Sequence, residues 1–145
     1  MLTHQASEQM LGYLYQVRYA LALLLDNTNS NCQISIEKFD DVAFSNDDIP
    51  AQLIQLKHHI QHQGSLTDAS TDVWRTLKVW LDAISESPDI LDETTFLIIT
   101  TAVAPIDSAA FLLKSDNNRN PNAAYEKLKL VCSTSTNRTH KSYYT

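Results

Sequence analysis

The most informative stretch of this 145-residue chain is QLIQLKH, residues 52–58. Its Leu and Ile residues predict a strand, in which successive side chains point to opposite faces. One face then carries Ile54 and Leu56, and the other carries Leu53, Gln55 and Lys57. Because Gln55 and Lys57 are two positions apart, we expect their side chains about 6.5 Å apart along the same face.

Other strands are predicted on either side of this one. In residues 33–39, Ile34 and Ile36 alternate with polar residues, as in a half-buried strand. A short strand over 41–44 leads to a turn at 45–48. Residues 94–101, TTFLIITT, are β-branched or aromatic almost throughout, which predicts a central buried strand.

Helical periodicity surrounds these strands. An amphipathic helix is predicted over 8–25, capped by Ser7, with a core-facing stripe of Met10, Leu14, Val17, Leu21 and Leu24. A second helix, capped by Ser70 or Thr71, carries the stripe Val73, Leu77, Trp80 and Ile84. Short helices follow over 107–114 and 122–131. The predicted order is α-β-β-β-α-β with short C-terminal helices, in one α/β domain over 1–132 with a polar tail over 133–145.

Composition limits the class of protein. With 43% hydrophobic residues, the chain is long enough for one core and short for two. It contains no apolar run of about 18 residues and no basic region followed by an apolar one at its start, so we expect a cytoplasmic protein without a membrane span. Cys32 and Cys132 are a hundred positions apart and are expected to be reduced.

The charge is unevenly distributed. Residues 1–113 hold 5 basic and 15 acidic side chains, whereas residues 114–145 hold 6 basic and 2 acidic ones. The acidic body argues against a protein that coats nucleic acid by bulk attraction. The basic end is either a source of phosphate contacts or a solvated, partly disordered segment.

Polar residues near the predicted strands suggest a chemistry. A carboxylate, Asp41, precedes the second strand, and Gln55 and Lys57 share one face of the third. Oxygen ligands for Mg²⁺ beside an ammonium group are what metal-assisted phosphodiester hydrolysis requires. On the second helix, Arg75 and Lys78 lie away from the apolar stripe and are candidates for phosphate contacts, while Trp74 and Trp80 are expected in the core.

Asp41 followed by Gln55-Leu56-Lys57 resembles the acidic residue and (D/E/Q)xK motif of the PD-(D/E)xK nuclease superfamily, in its Mrr-like variant. A wider resemblance, to the DUF4297 double-stranded-DNA endonuclease domain of CD-NTase-associated (CBASS) effectors of bacterial anti-phage defence, covers most of the chain. It is carried by residues 12–16 (GYLYQ), 36–42 (IEKFDDV), 55–59 (QLKHH), 72–80 (DVWRTLKVW) and 100–102 (TTA).

The resemblance implies a restriction-endonuclease-like core that cuts double-stranded DNA with Mg²⁺ or Mn²⁺. Asp41 and Gln55 would hold the metal, Lys57 would position the attacking water, and Gln16 would join the site from the first helix. Asp41 is preferred to Asp40, which is the better turn cap. The family's SAVED sensor domain has no counterpart here, so a sensor encoded separately or lost is an implied partner. A homo-oligomer is a separate expectation.

Several alternatives stay open. Glu37 is either a second metal carboxylate or a surface residue, and Gln55 with Lys57 is alternatively a solvated edge-strand pair. His58 is either a hydrogen bonder near the scissile phosphate or part of a wet loop; with His62 it has a spacing that binds zinc only on a helix. The whole chain is alternatively a non-catalytic remnant or accessory binding subunit, or an α/β domain without a nucleic-acid role.

Overall fold

The computed structural model describes residues 3–27, 31–37, 41–46, 49–59 and 63–137. The chain divides into two compact units, Met1–Ile60 with Val79–Thr100, and Gln61–Lys78 with Thr101–Thr145. The first unit contains the sheet, and the second contains the C-terminal helices. The predicted α/β class is confirmed.

The elements follow the predicted order, with one short helix added. The first half comprises α1 (Thr3–Asp26), β1 (Cys32–Ile36), β2 (Val42–Asn46) and β3 (Ile49–Lys57). The second half comprises α2 (Thr71–Glu86), the added α3 (Ile90–Glu93), β4 (Thr95–Thr100), α4 (Ala109–Leu112) and α5 (Pro121–Thr134). β3 begins three residues before its predicted start, and the β2–β3 register shifts between Phe44 and Ser45. Phe39 of the predicted first strand lies outside the described residues.

β3 lies between two neighbours in the sheet. The described strands have the order β1-β2-β3-β4, with β1–β2 and β2–β3 antiparallel and β3–β4 parallel. The prediction that residues 94–101 form a central buried strand is therefore wrong, because β4 is an outer strand of the described sheet and none of its six residues is fully buried. Its apolar residues reflect packing on its faces, whereas the four consecutive buried residues 53–56 belong to β3.

One face of the sheet packs against α1. The buried residues Ala20, Val42, Ile54 and Leu56 form one cluster, against which Tyr15, Tyr19 and Leu23 of α1 pack. Ile54 and Leu56 therefore share a face, as predicted, and Gln55 and Lys57 alternate with them on the other. Burying each large apolar side chain contributes about 1.5–3 kcal/mol, so this cluster is a major source of the unit's stability.

α1 turns a different face to the sheet from the one predicted. Met10, Leu14, Leu21 and Leu24 are each about half exposed or more, and Ala20 is 5% exposed. The prediction is wrong because α1 is apolar around much of its circumference, so spacing alone allows two stripes. Ala20 instead belongs to the buried cluster on the sheet. Ser7 is also not the N-cap, because α1 begins at Thr3.

The other sheet face packs against the second half of α2. Trp80 meets Phe96 of β4 with ring centroids 5.5 Å apart and planes tilted by 57°. Leu53, on the same face as Gln55, is 1% exposed. Trp80 is half-buried and packs on the sheet through this ring contact. α2 begins at Thr71, which leaves Ser70 at the cap position, where its carbonyl accepts from Trp74 N.

The second unit is held by hydrogen bonds at helix ends. Trp74 is buried, as predicted, and its indole Nε1 donates to Asp68 O at 2.8 Å. The Asp68 carboxylate accepts from Ala109 N at 2.6 Å, at the start of α4. Asn120 caps α5, whose first residue is Pro121, and α5 continues past residue 133, where the tail was predicted, to Thr134.

The two cysteines are free, as predicted. Burial raises the pKa of the Cys132 thiol above its ordinary value, which disfavours the reactive thiolate. Across the described part of the chain, no helix has both the length and the apolarity to cross a membrane.

Replacing each of two alanines of α1 by leucine tests which face of the helix is buried. We expect Ala20→Leu to lower the free energy of unfolding by about 1–3 kcal/mol, because extra methylene groups overpack a filled core. Ala22→Leu, on the exposed side of the same helix, is the matched control and should change it by less than about 0.5 kcal/mol. Urea unfolding of both variants measures this, and equal effects would contradict the packing described.

Candidate functional site

Three of the predicted site residues meet where β3 ends and β2 begins. Asp41 directly precedes β2, and Gln55 and Lys57 are the third-last and last residues of β3. The antiparallel register pairs Val42 with Ile54, so the next row of the sheet brings Asp41 opposite Gln55. Neighbouring strands lie about 4.7–4.9 Å apart, which puts the two residues within side-chain reach.

Gln55 and Lys57 contact each other directly. Lys57 Nζ donates a hydrogen bond to Gln55 Oε1 at 2.7 Å. Gln55 is 4% exposed and lies on a strand paired on both sides, so the alternative of a solvated edge-strand pair is wrong. A buried amide oxygen without a partner costs about 1–3 kcal/mol, and the ammonium group of Lys57 removes that cost here.

Asp41 is fixed against the middle of the same motif. Its Oδ2 accepts a hydrogen bond from Leu56 N at 2.7 Å, the amide between Gln55 and Lys57. The carboxylate thus binds β3 just beyond the last pair of the β2–β3 register, Val42 with Ile54. A carboxylate has about four lone-pair sites, so this bond does not exhaust its capacity as an acceptor.

The end of β3 is also held from its other side. Thr100 Oγ1 donates to Lys57 O at 2.9 Å, and Lys57 pairs with Thr100 in the parallel register. This bond fixes the backbone that carries the Lys57 side chain. Thr100 was not predicted as a site residue. The sequence pointed to it only through residues 100–102, one of the segments that carry the family resemblance.

Glu37 lies next to Asp41 at the end of β1. Glu37 N donates to Asp41 O at 3.1 Å, which extends the β1–β2 register by one row. Glu37, Asp41 and Gln55 therefore occupy successive positions across β1, β2 and β3. The Glu37 side chain is exposed and its φ is 57°, in the left-handed region that costs a non-glycine residue about 1–2 kcal/mol. Both interpretations of Glu37 remain consistent with this position.

His58 is held by an aromatic neighbour. Its ring stacks on Tyr15 of α1 with centroids 4.5 Å apart and planes 8° apart. His58 follows β3 directly and is exposed, so it has the accessibility that a phosphate contact needs. His58 is not on a helix, and His62 of the proposed zinc spacing lies outside the described residues. Tyr15 was not predicted as a site residue. It occurs in residues 12–16, one of the segments that carry the family resemblance, and the helical spacing of apolar residues did not indicate this contact.

Gln16 lies on α1, and its Oε1 makes no hydrogen bond to Asp41, Gln55 or Lys57. α1 approaches the sheet from the side of Ile54 and Leu56, opposite to Gln55 and Lys57. Gln16 Oε1 is nevertheless buried and has no hydrogen-bond partner among the described residues. Its role in the site stays a prediction.

Arg75 and Lys78 belong to the second unit. Both are exposed on the first half of α2, so each side chain is accessible to a phosphate group, as expected. Their predicted DNA contacts stay predictions.

The residues of the cluster fit a sparsely ligated divalent cation. Within the described ranges there is no group of three or more His, Cys, Asp and Glu side chains that would hold a metal. The expected donors are instead one carboxylate and one amide oxygen, from Asp41 and Gln55. Mg²⁺ prefers oxygen ligands and commonly takes only one or two protein carboxylates, with water and substrate phosphate completing its shell.

Comparison of the chain with protein-family models, curated proteins and solved structures gives no match. The interpretation of the site therefore rests on its residues and their geometry.

Two substitutions of Asp41 separate its structural bond from its charge. Asp41→Ala removes the acceptor of Leu56 N, and we expect a loss of about 1–3 kcal/mol in the free energy of unfolding. Asp41→Asn keeps an acceptor oxygen and should lose clearly less. Denaturant unfolding of the two variants measures the difference; an Asn variant as unstable as the Ala variant would show that the charge, not the hydrogen bond, holds β3.

Proposed function

We propose that this protein is a metal-dependent endonuclease that hydrolyses phosphodiester bonds of double-stranded DNA. The observation that carries the proposal is the cluster at the end of β3, where Lys57 Nζ lies 2.7 Å from Gln55 Oε1 and the Asp41 carboxylate contacts the intervening amide. A carboxylate, an amide oxygen and an ammonium group on adjacent strands are a suitable set for this reaction. The restriction-endonuclease-like fold, and a role in anti-phage defence, belong to the same proposal.

Asp41 and Gln55 would hold the cation. When bound, Mg²⁺ or Mn²⁺ supplies Lewis-acid polarisation of the phosphate and of water. Asp41 brings the negative charge that attracts it, and the bond to Leu56 N keeps that carboxylate oriented toward the end of β3. Glu37 occupies the next position in the row and is the candidate for a second carboxylate.

Lys57 would act on the phosphate and the attacking water. Hydrolysis forms a bond from water oxygen to phosphorus and breaks one phosphate ester bond, with negative charge building on the phosphoryl oxygens. An ammonium group fixed beside them stabilises that charge without having to reorganise. Gln55 and the Thr100 bond to the Lys57 carbonyl hold this ammonium group in position. His58, stacked on Tyr15, and the exposed Arg75 and Lys78 are the proposed DNA contacts.

Plasmid cleavage tests the proposal. With Mg²⁺ or Mn²⁺ present, we expect the wild type to nick or linearise plasmid DNA, and Lys57→Ala and Asp41→Asn to reduce the rate at least about a hundredfold, the scale of a lost transition-state charge interaction. Asp89→Asn is the matched control, because Asp89 is exposed and makes no capping bond. Equal cleavage by wild type and Lys57→Ala would reject Lys57 as a catalytic residue, and no cleavage by any of them would reject the nuclease proposal.

A second candidate function is a nuclease-fold subunit that binds partners without cutting. It is favoured by the neutral Gln55, which leaves Asp41 as the single carboxylate of the described cluster, and by the Lys57 hydrogen bond on the expected ligand atom. This subunit would not need a divalent cation at Asp41.

Calorimetry distinguishes the two candidates. For the nuclease we expect Mn²⁺ binding that Asp41→Asn weakens at least about tenfold, a loss of about 1.4 kcal/mol or more. Gln55→Glu should strengthen it, because a carboxylate replaces an amide ligand. Glu37→Gln weakens it only if Glu37 is a ligand. Mn²⁺ binding that is absent, or indifferent to Asp41, would favour the non-catalytic subunit.

A further inference from the structure

α1 has a second apolar face that the sheet leaves uncovered. Tyr15, Tyr19, Ala20 and Leu23 face the sheet, whereas Met10, Leu14, Leu21 and Leu24 are 66%, 47%, 52% and 48% exposed. Leu11, Tyr13 and Leu25, beside them, are also about half exposed or more. We call these seven residues the outer face of α1. An ordinary surface helix has one apolar stripe and a polar opposite side, so this one departs from the usual pattern.

The spacing of the outer face matches that of a helix-pairing surface. Met10, Leu14, Leu21 and Leu24 of this face, together with the partly buried Val17 between them, follow spacings of four and three over about four turns. This 3.5-residue period is the pattern by which the side chains of one helix fit between those of another. It indicates a helix as the occupant, in preference to a strand or a small molecule.

The exposed area is of the size that a dimer requires. The seven side chains, one tyrosine, one methionine and five leucines, are each about half exposed or more, which leaves on the order of several hundred Å² of apolar surface per copy. Monomeric proteins seldom expose a contiguous apolar patch of more than about 300–600 Å². Two such faces together approach the lower limit of about 1,200 Å² for a specific protein interface.

The charge of α1 favours a second copy over an unrelated charged partner. Between Met10 and Leu25 the helix carries one charged residue, the exposed Arg18. A strongly charged partner helix would find almost no opposite charges on α1 with which to pair. A second α1 matches apolar residue to apolar residue with the same period and introduces only one like charge per copy.

We propose that two copies of this chain associate through the outer faces of their α1 helices. The association requires no change in the packing of α1 on the sheet, because the two faces of the helix are distinct. The inference stands independently of the proposed nuclease activity.

Sedimentation equilibrium of the full chain tests this. We expect the wild type to have twice the mass of the chain, and Leu14→Glu with Leu21→Glu to raise the dissociation constant at least about a hundredfold, as for two central interface residues. Leu113→Glu with Leu130→Glu is the matched control, since both are exposed leucines of the second unit. This control should remain dimeric.

Several outcomes would overturn the proposal. A wild type that is monomeric at every concentration would do so, as would larger aggregates, or a dimer that the α1 pair leaves intact. If circular dichroism shows that the Glu pair is unfolded, Leu14→Gln with Leu21→Gln replaces it, with the same expected shift toward monomer. A folded Gln pair that dimerises as tightly as the wild type would equally reject the outer face as the interface.

Discussion

The hydrogen bonding of β3 on both of its edges is the constraint on which the first unit depends. A strand paired with β2 on one side and β4 on the other cannot rotate about its axis, so alternation fixes each side chain to one face. Ile54 and Leu56 are thereby committed to the α1 side. Gln55 and Lys57 are committed to the other. A slip of one residue would exchange the two sets and expose the core.

That constraint gives Gln55 its partner. A buried glutamine side chain has to satisfy its polar atoms, and the only residue that alternation keeps on the same face toward the strand end is Lys57. Asp41 has a related role, because its carboxylate accepts the hydrogen bond of Leu56 N. The hydrogen bonds that satisfy the polar groups at the end of β3 thus also bring together a carboxylate, an amide and an ammonium group. Different substitutions are therefore needed to separate an effect on stability from an effect on the proposed chemistry.

Because α1 is apolar on more than one side, its hydrophobic spacing did not identify the face that is buried. The regular stripe from Met10 to Leu24 was predicted to face the core, yet the sheet is covered by the side that bears Tyr15, Tyr19 and Ala20. Tyr19 is buried enough for desolvation, with a smaller effect of Tyr15, to raise its pKa. The buried Ala20 and the partly buried tyrosines thus mark the face that packs on the sheet, which the hydrophobic period alone did not identify. Met10, Leu14, Leu21 and Leu24 of the regular stripe stay exposed.

The order of the elements, the α/β class, the shared face of Gln55 and Lys57, the cap position of α2 and the buried Trp74 all followed from the sequence. Each depends on local periodicity or on a residue's own conformational preference. Four features were decided only by tertiary structure. They are the outer position of β4, the face of α1 on the sheet, the bond from Asp41 to Leu56 N and the stacking of Tyr15 on His58. Each of these features either joins residues that are distant in the chain or depends on which of several equally apolar surfaces is buried. Local residue spacing contains no signal for either.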